Sequence, residues 1–144
     1  MNRYVNRFVQ AVILLSLLFL STEVFAANKL VPSEWLSKNG SLLVITSVSD
    51  AGLINGYYIN KQAGYACQNS KYELTGKTIG NAISFTVLWV NPTESCSSIT
   101  SWVGYFDNNF IMFTNWQLVK DGAKTPTDII NGTDKFTNMN IKKK

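Results

Sequence analysis

The sequence predicts an all-β protein, an eight-stranded antiparallel up-and-down β-barrel, from three observations. Short stretches rich in β-branched and aromatic residues alternate with turn signals along the body of the chain. No segment of that body keeps a helical period. The connections are mostly short, so neighbouring strands should be antiparallel. A meander of about eight strands in one small domain closes economically into a barrel, because closure leaves no exposed edge.

The first half of the body predicts five strands. "EWLSKN" and "SLLVITSV" are separated by Gly40, and the turn "SDAG" leads into "LINGYYIN". The segment "KQAGYACQNSK" has small-residue bends and a cysteine, which indicates a loop. "YELTGKTI" and "AISFTVLWV" follow, joined by the hairpin turn "GN".

The second half predicts three more strands. "NPTES" is a turn before "CSSITSWVGYF", and "DNN" is a turn before "FIMFTNWQLV". "KDGAKTPTDIING" is a polar connection with one helical turn expected near "TDII", and "TDKFTNMNI" closes the fold. A β-sandwich remains an alternative. An outer-membrane barrel is disfavoured, because polar positions interrupt the apolar band that lipid would require.

The first 26 residues have the pattern of a secretory signal peptide. Arg3 and Arg7 precede the apolar run "FVQAVILLSLLFL", and cleavage is expected after Ala26. The alternative, a membrane anchor, is disfavoured because the run is shorter than the roughly 20 residues that span a bilayer. We therefore expect one domain, residues 27–144, in a secreted or periplasmic protein that has no membrane contact after cleavage.

Composition excludes several classes of function. The net charge of +4 is small, and no arginine follows Arg7, so a nucleic-acid interface is not predicted. The chain has no histidine, which removes the commonest general base and metal ligand. With Cys67 and Cys96 as its only cysteines it is a poor zinc protein. In an exported protein two cysteines are expected to form one disulfide, with two buried free thiols as the alternative.

Strand alternation places tryptophans and polar side chains on the same faces. Trp89, Trp102 and Trp116 mark the natural interior. Polar residues lie on these interior faces or on the matching faces of the other strands. They are Ser37, Ser41, Tyr58, Asn60, Ser98, Thr100 and Asp134. Each could be a satisfied core group, since an unpaired one costs about 1–3 kcal/mol. Together they are equally consistent with a cavity for a ligand that has an apolar body and a polar head.

Seven short motifs occur in series. They are Trp35 with Gly40–Ser41, Gly56–Tyr58, Tyr72–Gly76, Phe85–Trp89, Ser98–Gly104, Thr114–Leu118 and Gly132–Phe136. In this order and spacing the chain resembles the avidin and streptavidin family of biotin-binding proteins. The resemblance spans essentially the whole mature chain. The two cysteine contexts, "GYACQNSKYELTG" and "NPTESCSSITSWVGY", are similar to the dimeric, rhizavidin-like branch of that family.

The resemblance implies a role for each candidate site residue. Ser41 and Tyr58 would donate hydrogen bonds to the ureido oxygen of biotin, and Asp134 and Asn60 would accept from its two N–H groups. Thr100 would face the sulfur. Ser98 and the backbone near Ala63 and Gly64 would receive the carboxylate. The apolar walls would be Phe85, Trp89, Trp102 and Trp116.

The resemblance also implies features beyond the pocket. A Cys67–Cys96 disulfide would tie the loop after the third strand to the start of the sixth. The connection before the last strand lacks the tryptophan that tetrameric members lend to a neighbour, which implies a homodimer. At Ser37 the family has an asparagine that donates to the ureido oxygen, so we expect a modest loss of affinity, on the order of 1 kcal/mol. No cofactor is expected.

Three other functions remain open. A barrel or sandwich lectin would carry its tryptophans at the surface. An enzyme would have to pair Asp134 with a hydroxyl, since histidine is absent, and is disfavoured. An avidin-like barrel that has weakened or lost biotin binding is favoured only by Ser37.

Overall fold

The computed structural model describes residues 30–140, and the predicted signal segment lies outside that range. Its strands form a closed barrel in which each pairs with the next and the last with the first, all antiparallel. They are β1 Ser33–Ser37, β2 Leu42–Val48, β3 Leu53–Ile59, β4 Lys71–Ile79, β5 Ala82–Trp89, β6 Ser98–Phe106, β7 Ile111–Lys120 and β8 Ile130–Asn138. The predicted eight-stranded barrel is confirmed, and closure between β1 and β8 excludes the sandwich.

The connection between β7 and β8 differs in detail from the prediction. Its helical turn is a single 3₁₀ turn, Pro126–Asp128, and β8 begins at Ile130, three residues before the predicted "TDKF". Asn131 and Gly132 look like a turn signal, yet they pair with β7. A Cβ on Gly132 would lie 2.5 Å from Cζ2 of Trp116, so glycine is required for close packing of that ring and not for a turn.

Alternation along each strand separates an apolar interior from a solvated exterior, as the sequence predicts. On β5 the side chains of Ile83, Phe85, Val87 and Trp89 are buried, whereas the residues between them are half-buried or exposed. The other large buried side chains come from β1–β4 and β6–β8: Trp35, Leu43, Ile45, Ile54, Tyr58, Tyr72, Leu74, Trp102, Met112 and Phe136. These residues form a single cluster inside the barrel.

The two ends of the barrel have different connections. At the closed end, β2–β3, β4–β5 and β6–β7 are joined by turns of two to four residues. Gly80 and Asn81 form the shortest, and Gly80 has the positive φ of 58° that such a turn requires. At the open end, three of the four connections are longer loops, residues 60–70, 90–97 and 121–129. Within residues 30–140 no helix is long and apolar enough to cross a bilayer.

Candidate functional site

The candidate site residues meet inside the barrel toward its open end. Nine of them lie on six different strands, Ser41 directly precedes β2 and Asn60 directly follows β3, and the sheet register brings them together. Ser98 pairs with Trp89, and Trp102 pairs with both Phe85 and Trp116. Ser37, Ser41, Tyr58, Phe85, Trp89, Thr100 and Trp102 are buried, and Asn60, Ser98, Trp116 and Asp134 are half-buried. All eleven therefore face one interior region, and none points to the barrel exterior.

The acidic group of the site is Asp134 on β8. Its Oδ2 accepts a hydrogen bond of 2.9 Å from Nε1 of Trp102, which orients the carboxylate and leaves acceptor capacity for a second donor. Burial raises the pKa of Asp134 above its ordinary value, and the Trp102 hydrogen bond opposes that shift. Asp134 is therefore a partly desolvated acceptor, and a ligand N–H would meet it in a medium where hydrogen bonds are strong.

Tyr58 is held as a neutral donor. Its ring is almost fully buried, and desolvation raises the pKa of its hydroxyl above the usual range of tyrosine. A hydrogen bond with Ser41 partly opposes this rise in the pKa, and the negative charge of Asp134 adds a smaller increase. The Tyr58 hydroxyl consequently keeps its proton at any physiological pH and can donate it to a ligand oxygen.

Backbone N–H groups fix the side-chain oxygens of Ser41 and Asn60. The Lys61 N–H donates to Oγ of Ser41 at 2.9 Å, and the Gln62 N–H donates to Oδ1 of Asn60 at 2.9 Å. Ser41 Oγ also lies 3.4 Å from Oδ1 of Asn60, a long hydrogen bond. The Ser41 proton can therefore turn to a ligand acceptor at small cost while its oxygen stays in place.

Ser37 has a structural partner in the neighbouring turn. Its Oγ accepts a hydrogen bond of 3.0 Å from the Ser41 N–H, and the Ser37 N–H donates to the Ser41 carbonyl at 2.8 Å. Ser37 therefore shapes the turn that presents Ser41. Its own hydroxyl proton remains available to the pocket.

Aromatic rings form the walls. Phe85 stacks on Trp102 with centroids 4.9 Å apart, and Trp102 stacks on Tyr58 at 5.2 Å. Tyr58 also meets the edge of Trp89 at 5.7 Å. Offset stacking and edge contacts of this kind hold the rings in fixed positions. The walls are therefore formed by packing within the barrel itself.

Two further hydroxyls line the same region. Thr100 Oγ1 accepts from Nε1 of Trp89 at 2.8 Å, so its proton is free to contact a weak acceptor such as a thioether. Ser98 Oγ donates to the Cys96 carbonyl at 2.8 Å. Ser98 must therefore rotate its hydroxyl before it can donate to a ligand carboxylate.

The residue range 60–70, which we call the pocket loop, joins the site to the rest of the open end. Cys67 and Cys96 form the predicted disulfide, with their Cα atoms 6.1 Å apart. The backbone N–H of Cys67 also donates to a carboxylate oxygen of Glu94. The Lys61 and Gln62 N–H groups described above belong to this loop, so its position controls the Ser41 and Asn60 acceptors.

Sequence reasoning assigned no site role to three residues that support the site. Tyr72 packs against Trp89 with centroids 5.0 Å apart, and Phe136 meets Tyr58 at 6.4 Å and Phe85 at 6.3 Å. Both lie on the interior face of their strands, where alternation places Phe136 beside Asp134. Glu94 lies in a loop, and no periodic signal marks its contact with Cys67.

The arrangement does not favour the other functions considered. Trp35, Trp89 and Trp102 are buried and Trp116 is half-buried, whereas a lectin site would expose such rings. Among residues 30–140 no group of three or more cysteine, aspartate or glutamate side chains could hold a metal ion. An open recess of about 850 Å³ lies at the closed end, and none of the candidate site residues lines it. What remains is an interior region in which hydrogen-bond donors and acceptors lie beside packed aromatic rings.

Comparison with known proteins gives one consistent result. A family model described as the Avidin family matches residues 26–139. Afifavidin from Afifella pfennigii is 38% identical over 124 residues, which cover 83% of this chain and 76% of afifavidin. A crystal structure of apo shwanavidin is 44% identical with a TM-score of 0.73, covering 77% of this chain and 97% of that one. A crystal structure of a rhizavidin–biotin complex is 38% identical with a TM-score of 0.68, covering 80% and 97%.

Proposed function

Because the chain belongs to the avidin family, we propose that it binds biotin non-covalently and with high affinity at the open end of its barrel. The observation that carries the proposal is that two donors, Ser41 and Tyr58, and two acceptors, Asn60 and Asp134, lie together beside stacked aromatic rings. The protein is a binding protein rather than an enzyme, and biotin is its ligand rather than a cofactor.

The ureido group of biotin suits this arrangement. Ser41 and Tyr58 donate to the ureido oxygen, and Asn60 and Asp134 accept from its N–H groups. Donors at one end and a carboxylate at the other polarise the group, so each hydrogen bond strengthens the others. The bond to Asp134 is the strongest because its acceptor is charged. Ser37 stands near the same oxygen but has a shorter reach than asparagine.

The rest of biotin is matched by the remaining side chains. Phe85, Trp89, Trp102 and Trp116 enclose the bicyclic ring and the tail. Thr100 donates to the sulfur, with its oxygen already held by Trp89. Ser98, after rotation of its hydroxyl, and the backbone N–H groups near Ala63 and Gly64 receive the valerate carboxylate. These roles follow from the family resemblance and the hydrogen-bonding capacity of each group.

The proposal includes a homodimer. What supports it is the outer face of β5, β6 and β7, where the described strands carry no charged residue. That face consists of Ala82, Ser84, Thr86, Leu88, Ile99, Ser101, Val103, Tyr105, Ile111, Phe113, Asn115, Gln117 and Val119. The outer face of β4, by contrast, carries Lys71, Glu73 and Lys77. Depletion of charge at the centre of a patch is typical of protein interfaces.

The dimer proposal has a direct test. Ile99 is 49% exposed and lies in the charge-free face, so Ile99→Lys should reduce the native mass from that of a dimer to that of a monomer. Thr75→Lys on β4 is the matched control and should leave the mass unchanged. A monomeric wild-type protein would contradict the proposal.

The place of action that we propose is outside the cytoplasm, either secreted or periplasmic. What supports it is the amino-terminal pattern with its expected cleavage after Ala26, together with a disulfide of the kind that oxidising compartments maintain. Expression of the full chain with an export pathway should yield a protein whose amino terminus is Ala27. A protein that retains Met1 would contradict this.

The function itself is tested by calorimetric titration of the purified protein with biotin, with the native mass recorded on the same sample. We expect one biotin bound per chain, a large favourable enthalpy and a dissociation constant at or below the nanomolar range. A folded protein that gives no heat with biotin would overturn the proposal and favour a barrel that has lost its ligand. Titration with simple sugars is the control for the lectin alternative.

A further inference from the structure

Two links join the pocket loop to the β5–β6 loop, residues 90–97. The first is the Cys67–Cys96 disulfide. The second is the hydrogen bond from the Cys67 N–H to the Glu94 carboxylate. Both links meet at Cys67, so the same loop residue is held through its side chain and through its backbone. Neither Cys67 nor Glu94 is among the candidate ligand-binding residues, so the second link acts on the loop and not on the ligand directly.

Cys67 is an unusual residue to hold in this position. It is fully buried, and its φ of 59° lies in the left-handed region that residues other than glycine seldom adopt. Glycine would relieve the backbone but could not form the disulfide. A buried N–H also requires a partner. The Glu94 carboxylate supplies a charge-assisted acceptor, which stabilises the backbone conformation that the disulfide-bonded residue must keep.

Glu94 is itself anchored to the wall of the site. Its carbonyl accepts from the Cys96 N–H at 3.0 Å. The preceding turn is closed by Asn91, whose Oδ1 accepts from the Thr93 N–H at 2.9 Å. Asn91 also donates to the Tyr72 hydroxyl at 3.0 Å, and Tyr72 packs against Trp89 in the pocket wall. A continuous set of contacts therefore runs from the wall to the Glu94 carboxylate.

The other end of the pocket loop determines where the polar groups of the site stand. Lys61 and Gln62 donate their N–H groups to Ser41 and Asn60, and the Asn69 N–H donates to the Asn60 carbonyl at 3.0 Å. Displacement of the loop would remove the partners that fix the Ser41 and Asn60 oxygens. Holding Cys67 thus holds groups that contact the ligand.

We propose that Glu94 is a positioning residue for ligand binding, which keeps the pocket loop over the site by accepting the Cys67 N–H. The proposal rests on the proposed function, because the ligand is biotin. Glu94 acts in parallel with the disulfide, and a reducing agent does not break its hydrogen bond. The loop therefore remains placed when the disulfide is open, and biotin release under reducing conditions depends on Glu94.

The test measures association and dissociation rates of biotin for the wild type, Glu94→Ala and Glu94→Gln, each with the disulfide intact and reduced. We expect Glu94→Ala to speed dissociation about fivefold when oxidised and more when reduced, with association changed by less than about twofold. Glu94→Gln keeps an acceptor oxygen and should restore most of the slow release. Glu73→Ala, on the exposed face of β4, removes the same charge and is the matched control.

Several outcomes would overturn the assignment. Unchanged dissociation of Glu94→Ala in both redox states would show that the hydrogen bond does not hold the loop. Equal effects of the Ala and Gln variants would attribute the contribution to charge near the pocket rather than to the Cys67 N–H. If Glu94→Ala fails to fold, Glu94→Leu, which keeps most of the side-chain volume and has no acceptor, takes its place: faster biotin release from the reduced protein supports the role, and wild-type release contradicts it.

A second measurement separates this proposal from the proposed function. Hydrogen exchange of the Cys67 amide is recorded without biotin, in the wild type, Glu94→Ala and Glu73→Ala. We expect exchange to be at least tenfold faster in Glu94→Ala alone. Absence of biotin binding with this difference present would overturn the function and keep the positioning role. Biotin binding with equal exchange in all three proteins would support the proposed function and overturn the positioning role of Glu94.

Discussion

The interior of the open end of the barrel carries hydroxyl, amide and carboxylate groups, whereas the interior of the closed end carries mainly apolar side chains, aliphatic and aromatic, with few hydroxyls. At the open end Ser41 and Asn60 have their oxygens fixed by backbone N–H groups. At the closed end Ile54 and Met112 are fully buried in apolar surroundings. One sheet therefore supports two kinds of interior. The difference indicates that the closed end supplies stability and the open end supplies recognition.

The connections at the two ends follow the same division. The closed-end turns are short and are stabilised locally, as where Asp107 accepts from the Asn109 and Ile111 N–H groups at 2.9 and 2.8 Å. The open-end loops are long and are held by contacts between loops, among them the Cys67–Cys96 disulfide. A loop that is held by contacts with other loops can take part in ligand binding. A turn that is closed by its own hydrogen bonds only connects two strands. Substitutions at each end should therefore have separable effects.

The largest expected effect is on stability, from Met112→Ala at the closed end. Loss of a fully buried methionine should lower the free energy of unfolding by about 2–5 kcal/mol. The biotin affinity of the folded protein should change little, because Met112 pairs with Phe106 beside the closed-end turn and is not one of the candidate site residues. Denaturant unfolding without biotin gives the stability, and calorimetry gives the affinity. Leu53→Ala, at an exposed residue of the same end, is the control. Reduced biotin affinity of Met112→Ala would contradict the separation of stability at the closed end from binding at the open end.

The next effect is on affinity, from Asp134→Asn at the open end. The amide has no charge, and its one oxygen must serve both Trp102 and the ligand, while its nitrogen is a donor facing another donor. Affinity should fall by about 1.5–3 kcal/mol, roughly 10- to 150-fold. Asp107→Asn removes the same charge from the closed end and is the matched control. Equal biotin affinities of the two variants would show that the carboxylate at the open end contributes no more to binding than one at the closed end.

Much of this division could be predicted from the sequence. Alternation placed Trp89, Thr100 and Trp102 in the interior, because a strand exposes every second residue to the same face. The motif series then assigned polar roles to residues that alternation alone leaves ambiguous. Periodic patterns are reliable here because every strand is buried on one side only.

The rest depends on contacts that no local pattern encodes. The hydrogen bond from Cys67 to Glu94 joins residues 27 positions apart in two irregular loops. The rotation required of Ser98 follows from its bond to the Cys96 carbonyl, which the strand pattern does not reveal. The start of β8 was predicted too late because Asn131 and Gly132 have the residue types of a turn, and only packing against Trp116 explains the glycine.

A pH titration tests the open end further, because protonation of Asp134 should raise the stability of the barrel and lower its affinity for biotin. Burial raises the pKa of Asp134 above its ordinary 3.8, so the folded barrel binds this proton more readily than the unfolded chain. Between 3.8 and the raised pKa, lowering the pH therefore stabilises the barrel relative to the unfolded chain. In the proposed site the Asp134 carboxylate accepts a hydrogen bond from biotin, so affinity should fall in the same range, by up to about tenfold per pH unit.

The titration requires a ligand that does not itself titrate. The methyl ester of biotin keeps the ureido group and removes the carboxyl, so a change in its affinity reports on the protein. The wild-type affinity should decline with acid, and that of Asp134→Asn should stay level. A parallel decline in both proteins would assign the effect to another group.

The smallest expected effect comes from Ser37→Asn at the edge of the pocket. The Ser37 oxygen accepts the Ser41 N–H, so the serine offers the ligand a single proton on a short side chain. An asparagine can accept the same N–H through its carbonyl and extend its amide nitrogen toward the ureido oxygen. We expect a gain of about 1 kcal/mol, seen as roughly fivefold slower release of biotin. Ser37→Ala, which loses both bonds, should release biotin faster; an unchanged residence time in Ser37→Asn would mean that the serine proton already reaches the ligand.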